Sequence, residues 1–292
     1  MVDPIGGLQM LSRRTLLRNS ATFLSLLPAL SRTGWARTTT PLGVQLFTIR
    51  NQAELDLVSV LRQVREIGYS EIETYSGLYK RAAPELRRIA EDAGLHIPSG
   101  IFDYDDFDQK FGYAKDLGVR WMVCPSVPGN LWGSLDGFRI AAKRFNEWGR
   151  RARQSGMRFA FHNHNYEFRE LDGKTGYDVL VEETDPQLVF FEVDCYWIVQ
   201  AGQDLLRMLQ RLGKRVRLLH LKDRKPGFPA STDLDSAASH FTEVGYGSID
   251  WRAVLTEAER LQVEHYYVEQ DETPGNPIDS IRSSYQYLRT ML

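Results

Sequence analysis

From Pro41 onward the chain alternates between two periodicities, and this alternation is the strongest constraint on what it can fold into. Short apolar, β-rich runs occur at 42–47, 70–74, 95–101, 119–124, 157–163, 188–194, 216–221 and 264–269. Helical patterns follow them at 53–67, 82–93, 107–117, 136–154, 175–184, 203–211, 250–261 and 278–290. Strands that alternate with helices imply a parallel sheet, and eight such pairs close into a (β/α)8 barrel, a TIM barrel of the α/β class. Gly68, Gly94, Gly118, Gly156 and Gly213 each fall after a helical pattern and before a strand. Glycine there accepts the left-handed backbone that ends a helix.

Four of the strands end in a side chain able to bind a metal or move a proton. Phe159–His164 carries His162, Val189–Asp194 carries Asp194, Val216–Asp223 carries His220, and His265–Asp271 carries Glu269. Strand C-termini of a parallel barrel converge on one mouth, where active sites lie. Buried charges are costly unless paired or metal-bound, so repeated polar strand ends are hard to obtain from core packing. Imidazole and carboxylate donors together suit one divalent ion: Mn, Zn, Co, Fe or Mg. His162, Asp194, His220 and Glu269 are therefore the candidate ligands, with His164 and Glu167 as the alternatives to His162, and Glu269 is also placed to act as a base. Glu192 alternates with Asp194, so both face inward; Asp194 is preferred as the ligand because it lies nearer the mouth. His164 and Lys222 are the further catalytic candidates, Lys222 as the group that stabilises a developing oxyanion. Gln45, Glu73, Glu167 and Trp197 are candidate substrate contacts. Asp271 is read as a solvated or supporting residue.

The N-terminal 36 residues read as a separate element. Ser12-Arg13-Arg14-Thr15-Leu16-Leu17 is a twin-arginine pattern, followed by an apolar stretch from Ala21 to Leu30 and a small-residue site at Gly34-Trp35-Ala36. This is the layout of a Tat export signal, and the apolar part is too short for a stable membrane span. Residues 37–292 would then be the barrel, and the expected location is the periplasm. Removing 1–36 takes away four arginines (Arg13, Arg14, Arg18, Arg32) and one acid (Asp3), which moves the formal charge from −2 to −5. An acidic chain lacks the basic surface of a nucleic-acid binder. The two cysteines, Cys124 and Cys195, sit at strand ends and read as free buried thiols. A long irregular stretch, 224–248, lies on the mouth side and is a candidate lid or pocket wall.

At these residues the chain resembles the xylose isomerase-like barrel superfamily, the sugar phosphate isomerase/epimerase group that also includes endonuclease IV. The marks are GVQLFTIR at 43–50, FHNHNYEF at 161–168, VDCYW at 193–197, HLKD at 220–223, VEQD at 268–271 and the VGYGSIDW lead-in at 244–251. The resemblance implies one divalent metal held by Glu, Asp, His and Glu. Asp194, His220 and Glu269 match the last three, and His162 stands where the first Glu would be. That departure points to relatives such as inosose dehydratase-like enzymes and 3-keto-glycoside lyases or hydratases, which act by enolisation and β-elimination. The expected function is a metal-dependent isomerase, epimerase or lyase acting on a keto-sugar, keto-glycoside or cyclic polyol through an enediolate. The alternatives are a non-catalytic periplasmic sugar-binding protein and an endonuclease IV-like phosphodiesterase. The expected partners are a small sugar or polyol and the Tat machinery; a homo-oligomer stays open.

Overall fold

The computed structural model describes residues 40–237 and 240–292, so the export signal read at 1–36 lies outside the described residues. Eight strands form the barrel: β1 Gly43–Gln45, β2 Glu71–Thr74, β3 His96–Ile101, β4 Trp121–Cys124, β5 Arg158–His162, β6 Val189–Asp194, β7 Val216–Leu221 and β8 His265–Val268. Each pairs in parallel with its neighbours, and β1 closes against β8. Every expected strand is present within three residues at each end. All five glycines singled out between helix and strand adopt positive φ, from 56° at Gly213 to 123° at Gly68.

The helices ring the barrel and bury one face each. In Leu57–Ile67 the buried positions are Leu57, Val60, Leu61, Val64 and Ile67, a helical stripe. The single helix expected at 53–67 is divided, because Asp56 leaves helical geometry (φ −148°) and its side chain accepts the Ser59 N–H at 3.0 Å. The helix expected at 107–117 starts later, at Phe111, after a 3₁₀ segment Tyr104–Gln109. One helix was not anticipated: Cys195–Gln200 leaves β6 directly, with Asp194 as its N-cap. Among the described residues no helix is long and apolar enough to cross a membrane.

The barrel interior is layered. Trp121, Val123, Ala160, Leu218 and Tyr267 fill it with apolar volume. Below them, at the strand starts, His265 Nδ1 meets Glu71 Oε2 at 2.8 Å, and Arg158 pairs with Glu264 at 2.9 Å. Above them the lining turns polar, and this upper layer forms the site.

The 224–248 stretch is anchored at many points. Asp223–Arg224 pairs antiparallel with Phe241–Thr242. The Asn165 amide donates to Ser231 O and Asp233 O at 2.9 and 3.0 Å, and Ser231 N donates to Gln200 O at 2.7 Å. Asp223 Oδ2 accepts from Gly245 N (2.9 Å), Gly247 N (3.2 Å) and Trp251 Nε1 (2.7 Å). A Cβ on Gly247 would run into that carboxylate. The HLKD and VGYGSIDW motifs are thus two halves of one anchor.

Candidate active site

Strand register assembles the site. His162 lies opposite Glu192 across β5–β6, and Asp194 lies opposite His220 across β6–β7. Paired residues of parallel neighbours point the same way, so these four enter the barrel together. Glu269, one residue beyond β8, completes the group. His220 Nδ1 lies 2.9 Å from Glu269 Oε2 and 3.9 Å from Asp194 Oδ2. His162 Nε2 lies 3.8 Å from Asp194 Oδ2. The four residues singled out at strand ends therefore share one buried cluster, with Asp194, His220 and Glu269 close enough to share a cation.

Lys222 is the second hub. Its ammonium sits 3.1 Å from Asp194 Oδ2, 2.8 Å from Glu269 Oε2 and 2.7 Å from Asp271 Oδ1, with the side chain 1% exposed. Of its two readings, solvated or supporting, Asp271 takes the supporting one. Its position two residues past Glu269 was the available signal: the same alternation carries both to the interior.

Electrostatics follow from burial and these contacts. Burial alone would raise the Glu269 carboxyl, but Lys222 and His220 carry it well below the usual carboxylate range. Burial disfavours charge on His220, yet Glu192 and Glu269 hold its imidazole on the charged side. Burial works against the Lys222 ammonium too, and Asp194, Asp271 and Glu269 outweigh it. Asp271 is pushed up to about 6, by burial first and against the pull of Lys222. Burial, followed by Lys222, pushes His164 down to about 3, so its imidazole is neutral at physiological pH. The upper barrel is a field built for positive charge. Two imidazoles and two carboxylates in such a field fit a divalent cation in both donor type and charge.

Beside the cluster lies a cavity of about 210 Å³. Gln45, Ser76, Asp103, His162, His164, Lys222, Glu269 and Asp271 line it together with Phe47, Tyr75, Ile101 and Pro125. Among these lining residues His164 Nδ1 and Tyr75 Oη are buried without hydrogen-bond partners. Phe47 and Tyr75 meet edge to face, with centroids 5.7 Å apart.

Three of the expected substrate contacts lie elsewhere. Glu73 is fully buried behind His220, where it accepts from Gln45 Nε2 (2.7 Å), from Ser99 Oγ and from the His220 ring (Nε2 2.7 Å). It does not line the cavity, because the β2 strand end points it into the barrel axis below the mouth. Glu167 turns back to accept the His164 N–H at 3.0 and 3.1 Å and supports that loop from behind. Trp197 is 4% exposed, 5.3 Å from the His164 ring and 5.5 Å from Lys222 Nζ; it backs the wall without lining it. His96, His240 and His265 stand apart from the cluster: His265 pairs with Glu71 at the strand starts, and His240 stacks on Phe228. Cys124 and Cys195 are both buried free thiols.

The Glu167 geometry carries a pH prediction. Burial raises its carboxyl to about 8, against backbone hydrogen bonds that favour the ionised form. Between about pH 4.3 and that value the folded protein keeps a proton that the unfolded chain releases. The stability it contributes is complete below that window and is lost as pH rises through it. Relative to wild type, Glu167→Gln should gain up to about 1.4 kcal/mol for each pH unit between 5 and 8. Urea unfolding of both proteins at pH 5.5 and 7.5 checks this; a pH-independent gap would contradict it.

A closed parallel barrel with acids and imidazoles gathered at its C-terminal mouth is the architecture of a barrel enzyme. The chain belongs to the xylose isomerase-like TIM barrel family, whose model matches residues 61–291. An inosose dehydratase of Geobacillus thermodenitrificans is 30% identical over 245 residues, covering 72% of this chain and 82% of the relative. An inosose dehydratase of Clostridium perfringens is 25% identical over the same shares. Among solved structures, a sugar phosphate isomerase/epimerase from Parabacteroides distasonis aligns with a TM-score of 0.72 at 22% identity, covering 87% of this chain and 95% of that one. The IolI protein with a bound zinc atom aligns at 0.64 and 15% identity, covering 86% and 96%. The protein is an enzyme, and the Geobacillus and Clostridium relatives are dehydratases.

Proposed function

We propose that this enzyme uses one divalent metal ion to isomerise, epimerise or dehydrate an uncharged keto-sugar, keto-glycoside or cyclic polyol. The observation that carries the reading is the convergence of His162 Nε2, Asp194 Oδ2, His220 Nδ1 and Glu269 Oε2 beside a cavity. A cation bound by these four would polarise a substrate carbonyl and its neighbouring hydroxyl, which acidifies the hydrogen between them. The protein's own groups supply the rest. Glu269 and the neutral His164 imidazole are the proton acceptors lining the cavity. The Lys222 ammonium is the donor, placed to protonate an oxygen that leaves or returns as the enolised substrate collapses. The lining side chains of Phe47, Tyr75, Ile101 and Pro125 suit the carbon-bound face of a ring.

The charge of the lining supports an uncharged substrate. Among the described residues no arginine lines the cavity, and Lys222 is already shared among three carboxylates. Arg50, near the mouth, is engaged by Phe47 O, Asp271 O and Glu272. A phosphate or carboxylate on the substrate would meet Asp103 and Asp271, with no unpaired lysine or arginine among the described lining residues to hold it. Delivery to the periplasm by the twin-arginine route belongs to the same reading and rests on Ser12–Leu17; cell fractionation with Arg13 and Arg14 replaced by Lys tests it.

The test is metal analysis of the purified protein, followed by turnover of keto-inositols and 3-keto-glycosides with and without added Mn, Co or Zn. Near one ion per chain, strongly reduced in Asp194→Asn, together with chelator-sensitive turnover, is the expected result. Sugar binding that survives metal stripping, with no turnover, would replace this reading with a binding protein.

A further inference from the structure

The same metal reading leaves open which nitrogen of each histidine is free for the cation, and two buried carboxylates below the site decide it. His162 Nδ1 lies 3.1 Å from Glu192 Oε2, while its Nε2 looks toward Asp194. In His220 the arrangement is reversed. Its Nε2 lies 2.7 Å from Glu73 Oε2 and 3.2 Å from Glu192 Oε2, while its Nδ1 faces Glu269 and Asp194. Both His220 nitrogens face carboxylates; a cation lying between Nδ1, Asp194 and Glu269 would take the place of the Nδ1 hydrogen, while Nε2 keeps its own toward Glu73 and Glu192, and in His162 the nitrogen facing Glu192 carries the hydrogen.

The geometry points to Glu192 as the positioning residue that sets both imidazoles at once, in opposite tautomers: His162 offers Nε2 to the cation and His220 offers Nδ1. One oxygen, Glu192 Oε2, reaches both rings, whose centroids are 4.5 Å apart. Glu73 reinforces the His220 half and is itself fixed by Gln45 and Ser99. Glu192 is fully buried on a barrel strand, in register with His162, so its reach is set by the sheet rather than by a mobile loop. Carboxylates behind metal-bound histidines orient the ring and raise its basicity, and losing one typically lowers metal affinity 10–100-fold.

The inference rests on the proposed metal site, and the experiment separates the two. Chelator-stripped protein with ¹⁵N-labelled histidine is titrated with zinc alone and followed by long-range ¹H–¹⁵N correlation spectra. The expected result is zinc on Nε2 of His162 and on Nδ1 of His220, with hydrogens on the opposite nitrogens. Calorimetric titration of Glu192→Gln should show zinc affinity lower by 10–100-fold, since an amide is a weaker acceptor than a carboxylate for the two ring hydrogens. Zinc bound through the other nitrogen of either histidine, or a Glu192→Gln affinity within twofold of wild type, overturns the role of Glu192 and leaves the metal site standing. Wild-type protein that binds no zinc overturns both. The wild-type spectrum decides the tautomers even if the variant does not fold.

Discussion

His220→Ala should lose metal binding and turnover together and should also unfold more easily. The imidazole touches Glu73, Glu192 and Glu269. Its removal takes one donor from the proposed cation site and leaves three buried carboxylates facing a void. Removing one partner of a buried charged pair costs about 3–5 kcal/mol. The lost polarisation of the substrate carbonyl should lower turnover on the order of a thousandfold or more. Paired measurements of metal content, turnover and denaturant midpoint check the three effects. A His220→Ala protein that retains one ion per chain and full activity would remove the site assignment altogether.

Lys222→Met should give the second large effect, and its signature is an interaction with metal. Without the ammonium, Asp194, Glu269 and Asp271 repel one another in a buried cluster. The expected loss is again about 3–5 kcal/mol. Two of those carboxylates are proposed ligands, so the variant should bind Mn²⁺ more tightly than wild type. Ligand at a hundredfold excess over Kd adds about 2.7 kcal/mol of stability, and a lower Kd adds more at the same concentration. Thermal unfolding with and without Mn²⁺ should therefore show a larger upward shift in Lys222→Met than in wild type. Turnover should remain low, because the proton donor is gone. An equal or smaller shift would mean that Lys222 and the cation do not share those carboxylates.

The barrel was legible because each strand is a short apolar run set off by glycine, and because period-two alternation carries His162, Asp194, His220 and Glu269 inward. Alternation says which face a residue takes, not how high it stands on the barrel axis. That height depends on register, which puts Glu192 opposite His162 but Asp194 opposite His220. Hence Glu73, expected at the substrate, stands behind a histidine, and Asp271, read as solvated or supporting, takes the supporting place and holds Lys222. The Cys195–Gln200 helix was hidden by composition: CYWIVQ is aromatic and β-branched and reads as strand. Only the Asp194 cap reveals its start, and that cap depends on backbone geometry after β6.

That cap ties two parts of the molecule together. Asp194 Oδ1 accepts the Trp197 N–H at 3.0 Å, while Oδ2 faces Lys222 and the two histidines. Any pull on Oδ2 is therefore a torque on the first turn of Cys195–Gln200. At the far end of that helix, Gln200 holds Ser231 N through its carbonyl and the Arg224 guanidinium through its side chain. Filling the mouth and stiffening the outer wall are in this sense one mechanical event, transmitted through a single carboxylate, and hydrogen exchange in 196–231 should slow when the mouth is occupied.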